Sequence, residues 1–328
     1  MLDNHIAPSN KTAIAAVDLG TNNCRMLIAS ADSNNFSVID SFSRITRLGE
    51  GLTVSRRLSS EAMERTIDAL KICASKMKRH RVKLSRNVTT EACRRAENCN
   101  EFVEKVKKET GIFLEIISPH EEAKLALSGC STLIDPNLKY TIVFDIGGGS
   151  TEVIFVSSEG QGRFRINDFI SMPFGVVTVS EDCGGGDLSN KSYQEILGKV
   201  KSTLLEFDQK NDISKRISSK QIQMIGVSGT VTTLGGLNLN LAKYDRKLVD
   251  GYKLVFNDIK RHTLNLRKMD LAKRASLPCI GWQRADLLLG GCAILEGICE
   301  LWPVGYLRIA DRGLREGILN GLLEKINS

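Results

Sequence analysis

The chain has 328 residues, of which 42% are hydrophobic and 25% are charged, a composition typical of a soluble protein with room for two domains. Its nine cysteines include no C-x-x-C pair, and we find neither a signal peptide nor an apolar run of membrane-spanning length, so disulfide scaffolds, zinc sites and membrane partners are not expected. The net charge of +7 suits a polyanionic ligand, but the basic runs lack interleaved aromatic residues, which argues against a nucleic-acid partner. We therefore expect a cytoplasmic protein.

The first 128 residues alternate between strands and helices. Apolar periodicity predicts strands at 12–18, 24–31, 36–48, 88–90 and 112–117. Helices are predicted after the N-cap residue Ser59, between Phe102 and the closing Gly111, and from Pro119 onward. The first two strands form a hairpin whose turn follows Asp18.

The same order begins again at residue 140. A second hairpin is followed by a strand at 163–172, a helix at 190–208, a strand at 223–227, a helix at 285–301, a strand at 306–309 and a last helix led by residues 311–317. Because the two hairpins lie roughly 127 residues apart, the repeat indicates a duplicated domain and not a solenoid. We predict two closely packed lobes, with a hinge at 128–139 and a cleft between the two hairpins.

The turn of the second hairpin is the most informative stretch. It contains Gly147, Gly148 and Gly149, which can take positive φ or let backbone N–H groups approach a phosphate closely, and the hydroxyl residues Ser150 and Thr151 follow. Two flanking acids, Asp145 and Glu152, would repel a polyanion, and a divalent cation between them resolves the conflict. A flexible surface turn would have a similar composition, so the glycines alone leave both interpretations open.

Two other turns strengthen the phosphate interpretation. The first hairpin repeats the pattern, with an acid, a glycine, small polar residues and a charged residue at 18–25. The turn at Ser228, Gly229 and Thr230 follows a strand and opens a helix, where backbone N–H groups suit a phosphate or a ribose.

Together these residues resemble the exopolyphosphatase/guanosine pentaphosphate phosphohydrolase family, part of the superfamily of actin, the heat-shock chaperone ATPases and the sugar kinases. The resemblance covers nearly the whole chain and includes motifs at 16–20, 90–98, 117–123, 145–152, 226–234, 284–286 and 313–317. It implies an α/β fold of two ribonuclease-H-like lobes, each a mixed five-stranded sheet with flanking helices, with the active site in the cleft between the lobes. It also implies lobes at 1–128 and 129–312, with a C-terminal helix at 313–328 that packs back on the first lobe.

The resemblance assigns a role to each candidate residue. Glu122 matches the catalytic glutamate, and the residues alone do not distinguish it from Glu121, an acid that would merely favour the helix dipole. Asp145 and Glu152 match metal-binding acids for Mg2+ or Mn2+, with Asp18 as a third ligand through water. The substrate-binding set is Thr21, Asn22, Asn23, Arg25, Arg94, Gly147, Gly148, Gly149, Ser150, Thr151, Ser228, Gly229 and Thr230. An interlobe salt bridge is the alternative role of Arg94.

The resulting hypothesis is a phosphohydrolase that removes the terminal phosphate of inorganic polyphosphate or of guanosine pentaphosphate or tetraphosphate, with Glu122 activating the water. Longer members continue into helical domains, so a weaker hold on long chains is expected here. An ATP-dependent kinase or ATPase of the same superfamily and a sensor that binds the alarmone without hydrolysing it are the alternatives. A homodimer is plausible from the resemblance.

Overall fold

A computed structural model describes residues 11–33 and 35–327. The first sheet has the strand order β3-β2-β1-β4-β5, in which β1, β2 and β3 are antiparallel and β4 and β5 continue parallel to β1. Its strands are β1 Thr12–Leu19, β2 Asn23–Ala31, β3 Phe36–Ile45, β4 Leu84–Thr89 and β5 Glu115–Ile116. The helices are α1 Leu52–Ser55, α2 Ser60–Arg79, α3 Glu91–Arg95, α4 Cys99–Thr110 and α5 Pro119–Cys130, followed by a 3₁₀ turn at Ser131–Leu133.

The second sheet has six strands in the order β10-β11-β9-β6-β7-β8. They are β6 Tyr140–Ile146, β7 Thr151–Gly160, β8 Arg163–Met172, β9 Ile222–Val227, β10 Lys253–Val255 and β11 Tyr306–Ala310. Around them lie α6 Val176–Asp182, α7 Asn190–Asn211, α8 Ile213–Ser218, α9 Gly229–Asn238, α10 Arg246–Val249, α11 Phe256–Arg267, α12 Leu271–Ser276, α13 Trp282–Ala285 and α14 Leu288–Leu301. The last helix, α15 Leu314–Asn327, returns to the first sheet.

The predicted class, two mixed sheets with flanking helices, is confirmed, but the expectation of five strands in the second sheet is wrong. The sixth strand, β10, is three residues long and pairs antiparallel with the edge strand β11, Lys253 opposite Arg308. Only the middle residue of β10, Leu254, is buried. So short a segment carries no alternation that a sequence pattern can detect.

Local signals place the starts of α2 and α5 and the end of α4 as predicted, whereas α4 begins at Cys99, before Phe102, and the helix predicted at 285–301 is divided into α13 and α14. The Ser59 hydroxyl accepts a hydrogen bond from the Ala62 N–H at the start of α2, and the Ser118 hydroxyl accepts one from the Glu121 N–H at the start of α5. Gly111 ends α4 in the left-handed conformation, with φ 71°. The Ser118 cap sets where α5 begins, and the first turn of α5 carries the two candidate acids.

Helix α5 connects the two halves of the molecule. Leu125 packs with residues of α15 and β1, whereas Ala126 and Leu127 pack against the second sheet. Gly317 of α15 lies directly against the Leu125 carbonyl, and Gly129 of α5 lies against Gly313, so neither position has space for a side chain. The last helix therefore packs on α5 and on β1 of the first sheet.

The predicted first lobe begins at residue 1, and its first ten residues lie outside the described part of the chain. Residue 328, the last of the predicted C-terminal helix, also lies outside it. None of the helices in the described part is long and apolar enough to cross a membrane.

Candidate active site

The two hairpins have the same register at their tips. Asp18 is paired with Arg25 across β1 and β2, and Asp145 is paired with Glu152 across β6 and β7. The Gly20 N–H donates to the Asn23 carbonyl at 2.9 Å, and the Gly147 N–H donates to the Ser150 carbonyl at 3.0 Å. The repeat noted in the sequence is thus a repeat in three dimensions. It brings three acids and one arginine to equivalent positions at the two strand ends.

The hairpin tips lie against each other. A Cβ atom placed on Gly148 would lie 3.0 Å from the Thr21 Cβ and 3.1 Å from the Asn22 backbone nitrogen, and one on Gly149 would lie 2.7 Å from the Thr21 hydroxyl oxygen. None of the three glycines takes positive φ. Glycine is required here because two backbones approach closely, and the positive-φ role suggested by the sequence is not used.

Glu122 and Glu121 face different surroundings. The Arg94 guanidinium donates to Glu122 Oε2 at 2.8 Å, and Glu122 is only 15% exposed. Glu121 instead accepts from Arg86 at 3.1 Å and is 36% exposed. The structure therefore separates the two acids that the sequence could not, because only Glu122 faces the buried acids of the hairpins.

Arg94 is held within the first lobe. Besides Glu122, its guanidinium donates to Glu91 Oε2 at 2.9 Å and to the Ile117 carbonyl at 2.9 Å. Both carboxylates come from α3 and α5, so the interlobe salt bridge considered as an alternative is not formed. Arg94 orients Glu122 and adds positive charge beside it.

Burial and mutual repulsion raise the pKa values of the acids at the cleft. Burial, with repulsion from Glu122 and Asp18, raises the pKa of Asp145 to about 7. Burial, with repulsion from Asp145, raises the pKa of Glu152 to about 7, although Ser171 donates to this carboxylate at 2.8 Å. Burial and Glu152 raise the pKa of Glu122 to about 8 against the opposing charge of Arg94, and burial also raises the pKa of Asp18.

These acids suit a divalent cation that also binds substrate. Carboxylate oxygens are hard ligands, and Asp145 and Glu152 repel each other as long as no cation lies near. In the described ranges no three acidic, histidine or cysteine side chains are close enough to hold an ion by themselves. Mg2+ commonly takes one or two carboxylates and completes its shell with waters and phosphate oxygens, which fits this arrangement.

Several hydroxyls of the predicted substrate set have structural partners. Thr151 is fully buried and donates to the Phe174 carbonyl at 2.9 Å, and the buried Ser150 hydroxyl lowers the pKa of Glu152. Ser228 caps α9 by accepting from the Val231 N–H, and Thr230 packs against Gly291 of α14. The turn at 228–230 therefore presents the backbone N–H groups of a helix N-terminus to a ligand, and not free hydroxyls.

The sequence reasoning missed basic residues that the fold places near Arg25. Burial lowers the pKa of Arg284 and of Arg315, and repulsion from Arg25 lowers both further. Their motifs at 284–286 and 313–317 were noted as part of the resemblance, but no role was assigned to them. The grouping depends on α15 packing on β2 and on α13 lying within reach of the Arg25 charge, and no spacing along the chain indicates this.

The mouth of the cleft is closed by two contacts between the lobes. Arg47 donates to Asp286 at 2.8 Å, and the Gly51 N–H donates to Glu181 at 2.9 Å. A cavity of about 570 Å³ lies beside them, bordered by Asn22, the loop at 47–54 and helix α6. Of the predicted site residues only Asn22 borders this cavity, so the cavity lies beside the hairpin tips and does not contain the four acids.

Comparison with known proteins agrees with this geometry. The profile of the Ppx/GppA phosphatase family matches residues 27–326. The chain belongs to the Ppx/GppA phosphatase family. A solved family member from Aquifex aeolicus superposes with a TM-score of 0.78 at 28% identity, covering 97% of this chain and 99% of that one.

Two curated relatives from bacteria are longer than this chain. The chain is 29% identical to the bifunctional 3-dehydroquinate synthase/phosphatase of Fusobacterium nucleatum and 29% identical to the guanosine-5'-triphosphate,3'-diphosphate pyrophosphatase of Aliivibrio fischeri, in each case over 95% of its own length. It covers 47% of the first relative and 59% of the second. The chain thus spans about half the length of the curated relatives it matches.

Proposed function

We propose that the protein hydrolyses the terminal phosphoanhydride bond of inorganic polyphosphate or of guanosine pentaphosphate. The observation that carries the proposal is the group of buried and half-buried acids, Asp18, Glu122, Asp145 and Glu152, whose charges act on one another at the meeting point of two glycine-containing hairpins. Membership of a phosphatase family and similarity to a guanosine-5'-triphosphate,3'-diphosphate pyrophosphatase support the reaction class and the substrates.

In this proposal the backbone N–H groups of Gly148 and Gly149 and of Thr21 to Asn23 hold the phosphate chain, while the Gly147 N–H keeps its bond to the Ser150 carbonyl. Arg25 lies beside this cradle, and the turn at 228–230 contacts the more distant part of the substrate. The lobes, which we take to divide near residue 128, must separate at their hairpin tips before a phosphate can enter, because the tips are now in contact.

Glu122 is proposed to act as general base. It accepts a proton from the attacking water while the new P–O bond forms and the bridging P–O bond breaks, and the shortened phosphate chain leaves with the bridging oxygen. Arg94 keeps the Glu122 carboxylate oriented and lowers its pKa from the higher value that burial alone would produce. Such a base contributes about a hundred- to ten-thousand-fold in rate.

Asp145 and Glu152, with Asp18 through water, would hold a magnesium or manganese ion. The bound cation would neutralise charge on the phosphoryl oxygens, which is the main requirement of phosphoryl transfer. The protein supplies the carboxylates, and Ser171 fixes the orientation of Glu152.

The decisive experiment follows phosphate release with polyphosphate and guanosine pentaphosphate side by side, in magnesium or manganese. Glu122→Gln should lower kcat by at least about a hundredfold, whereas Glu121→Gln, which alters an acid of the same turn that pairs with Arg86, should stay within a few-fold of the parent. Equal activity of the two variants would exclude Glu122 as the base. Tight binding without release by the parent protein would instead indicate a sensor. A mass measurement in solution tests the proposed homodimer.

A further inference from the structure

A second pocket, which is basic, lies at the other end of the second sheet. Its volume is about 460 Å³, and it is lined by Lys139, Tyr140, Phe155, Ser157, Ser158, Glu159, Arg165, Asn167, Lys210, Asn211 and Arg216. Four of these side chains are basic and one is acidic. Tyr140 begins β6 and Asp145 lies five residues further along the strand, so the pocket is roughly 17 Å from the hairpin acids, at about 3.3 Å per residue.

Two of the basic residues are not neutralised. Arg165 pairs with Glu159 at 3.3 Å, and Lys210 pairs with Asp168 at 2.8 Å. Within the residues that the structure describes, neither Lys139 nor Arg216 has a carboxylate at ion-pair distance. The pocket lining therefore carries net positive charge, although the Asp212 carboxylate acts on Arg216 from beyond ion-pair distance.

Aromatic stacking fixes the position of these two cations. The Arg216 guanidinium lies 4.2 Å from the centre of the Tyr140 ring, and the Lys139 ammonium lies 5.4 Å from the same ring. Tyr140 in turn stacks on Phe155 at 5.4 Å. Two cations attracted to one ring repel each other, and a bound anion would remove that repulsion.

The remaining polar groups favour an anion that accepts hydrogen bonds. The Arg216 Nε donates to the Asn211 carbonyl, and no other hydrogen bond of its guanidinium is formed within the described ranges. The Asn167 Oδ1 accepts from the Ser157 hydroxyl at 3.0 Å, which leaves the Asn167 amide N–H groups as donors. A fork of guanidinium N–H groups, an ammonium and an amide form a donor set suited to phosphate oxygens.

We propose that this pocket, which we call the distal pocket, is a second, non-catalytic site for a phosphate chain. Lys139 and Arg216 would provide the charge. The ring faces near the cations are already occupied, so recognition would be of the phosphates and not of a nucleobase. The site would bind the same class of ligand as the proposed catalytic cleft but through its own residues, so the inference does not depend on hydrolysis.

The test is a calorimetric titration with tripolyphosphate. The Glu122→Gln protein is used because this substitution prevents turnover of the ligand. Two sites are expected. Lys139→Glu, a change of an exposed side chain, should weaken one of them about tenfold, since one favourable charge contact becomes unfavourable. Lys260→Glu, the same change on an exposed residue of α11, should leave both sites intact. Lys139→Glu combined with Arg216→Gln should abolish the second site, with unfolding measured to confirm that the variant is folded.

Three results would overturn the inference: a single site in the Glu122→Gln protein that Lys139→Glu leaves unchanged, identical titrations for Lys139→Glu and Lys260→Glu, or a site that binds guanosine triphosphate but not tripolyphosphate. If Lys139→Glu lowers the affinity for tripolyphosphate and for guanosine triphosphate by a similar factor, the result would support recognition through phosphates alone. Absence of phosphate release by the protein with native Glu122 would overturn the proposed hydrolysis and not this site, because the titration is independent of it.

Discussion

Replacing Asp145 by asparagine should stabilise the metal-free protein at alkaline pH while removing activity. Asp145 is half-buried, and its pKa rises from 3.8 to about 7 because of desolvation and repulsion from Glu122 and Asp18. The folded state thus holds the Asp145 proton over a pH range in which the unfolded chain has lost it. The wild-type free energy of unfolding should therefore fall as pH rises from about 4 to about 7, and remain reduced above that.

The size of the effect follows from the shift. A difference of about three pKa units at 1.36 kcal/mol each corresponds to about 4 kcal/mol as an upper limit at pH 8.5. Asparagine has nearly the same shape and no charge, so Asp145→Asn should recover much of this, roughly 2–4 kcal/mol. At a pH well below 3.8 the carboxyl is neutral in both states, and the two proteins should have similar stability.

The assay is urea unfolding of both proteins from pH 4.5 to 8.5 in a metal chelator. Asp182→Asn, the same change on an exposed side chain, is the matched control and should show no such trend. Added magnesium should stabilise the wild type and not Asp145→Asn, because a ligand that binds only the folded state raises its stability. A pH-independent difference between the wild type and Asp145→Asn would refute the argument that burial and repulsion destabilise this carboxylate.

Three further changes test other parts of the fold. Gly175→Ala would place a Cβ 2.7 Å from the Gly148 carbonyl carbon, so thermal unfolding should show a loss of about 1–3 kcal/mol together with reduced turnover. Gly317→Ala would force α15 away from the Leu125 carbonyl, and a similar loss should appear in unfolding while Gly321→Ala, where nothing lies nearby, is tolerated. Hydrogen bonds from Lys76 and, to a smaller extent, from His80 lower the pKa of Asp40. Asp40→Asn should therefore destabilise the protein by about 1 kcal/mol at pH 7. This difference in the free energy of unfolding should shrink below pH 4, and a difference that stays constant with pH would contradict the assigned role of the carboxylate.

Much of the architecture was determined by local signals in the sequence. The hairpin at 145–152 was predicted because apolar runs flank glycines, and Pro119 after Ser118 marked the start of α5. Such signals act over a few residues, through φ preferences, caps and alternating burial, and they are the same whatever the rest of the chain does. The repeat after 127 residues then predicted two similar lobes.

Tertiary structure decided which side chains meet. Glu121 and Glu122 are neighbours in sequence and equally acidic, and only the packing of α5 directs Glu122 toward Glu152 while Glu121 reaches Arg86. The raised pKa values depend on burial and on charges contributed by both lobes, which no local pattern contains.

The same reason explains what the sequence could not indicate at all. Strand β10 exists because β11 offers it an edge. Lys139 and Arg216 both lie over the Tyr140 ring because the fold brings α8 beside the start of β6. The sequence by itself determined the elements, the repeated hairpins and the kinds of residues at their tips. Only the folded chain decided which charges are buried together, because electrostatic interaction depends on distance and solvent exclusion and not on separation along the chain.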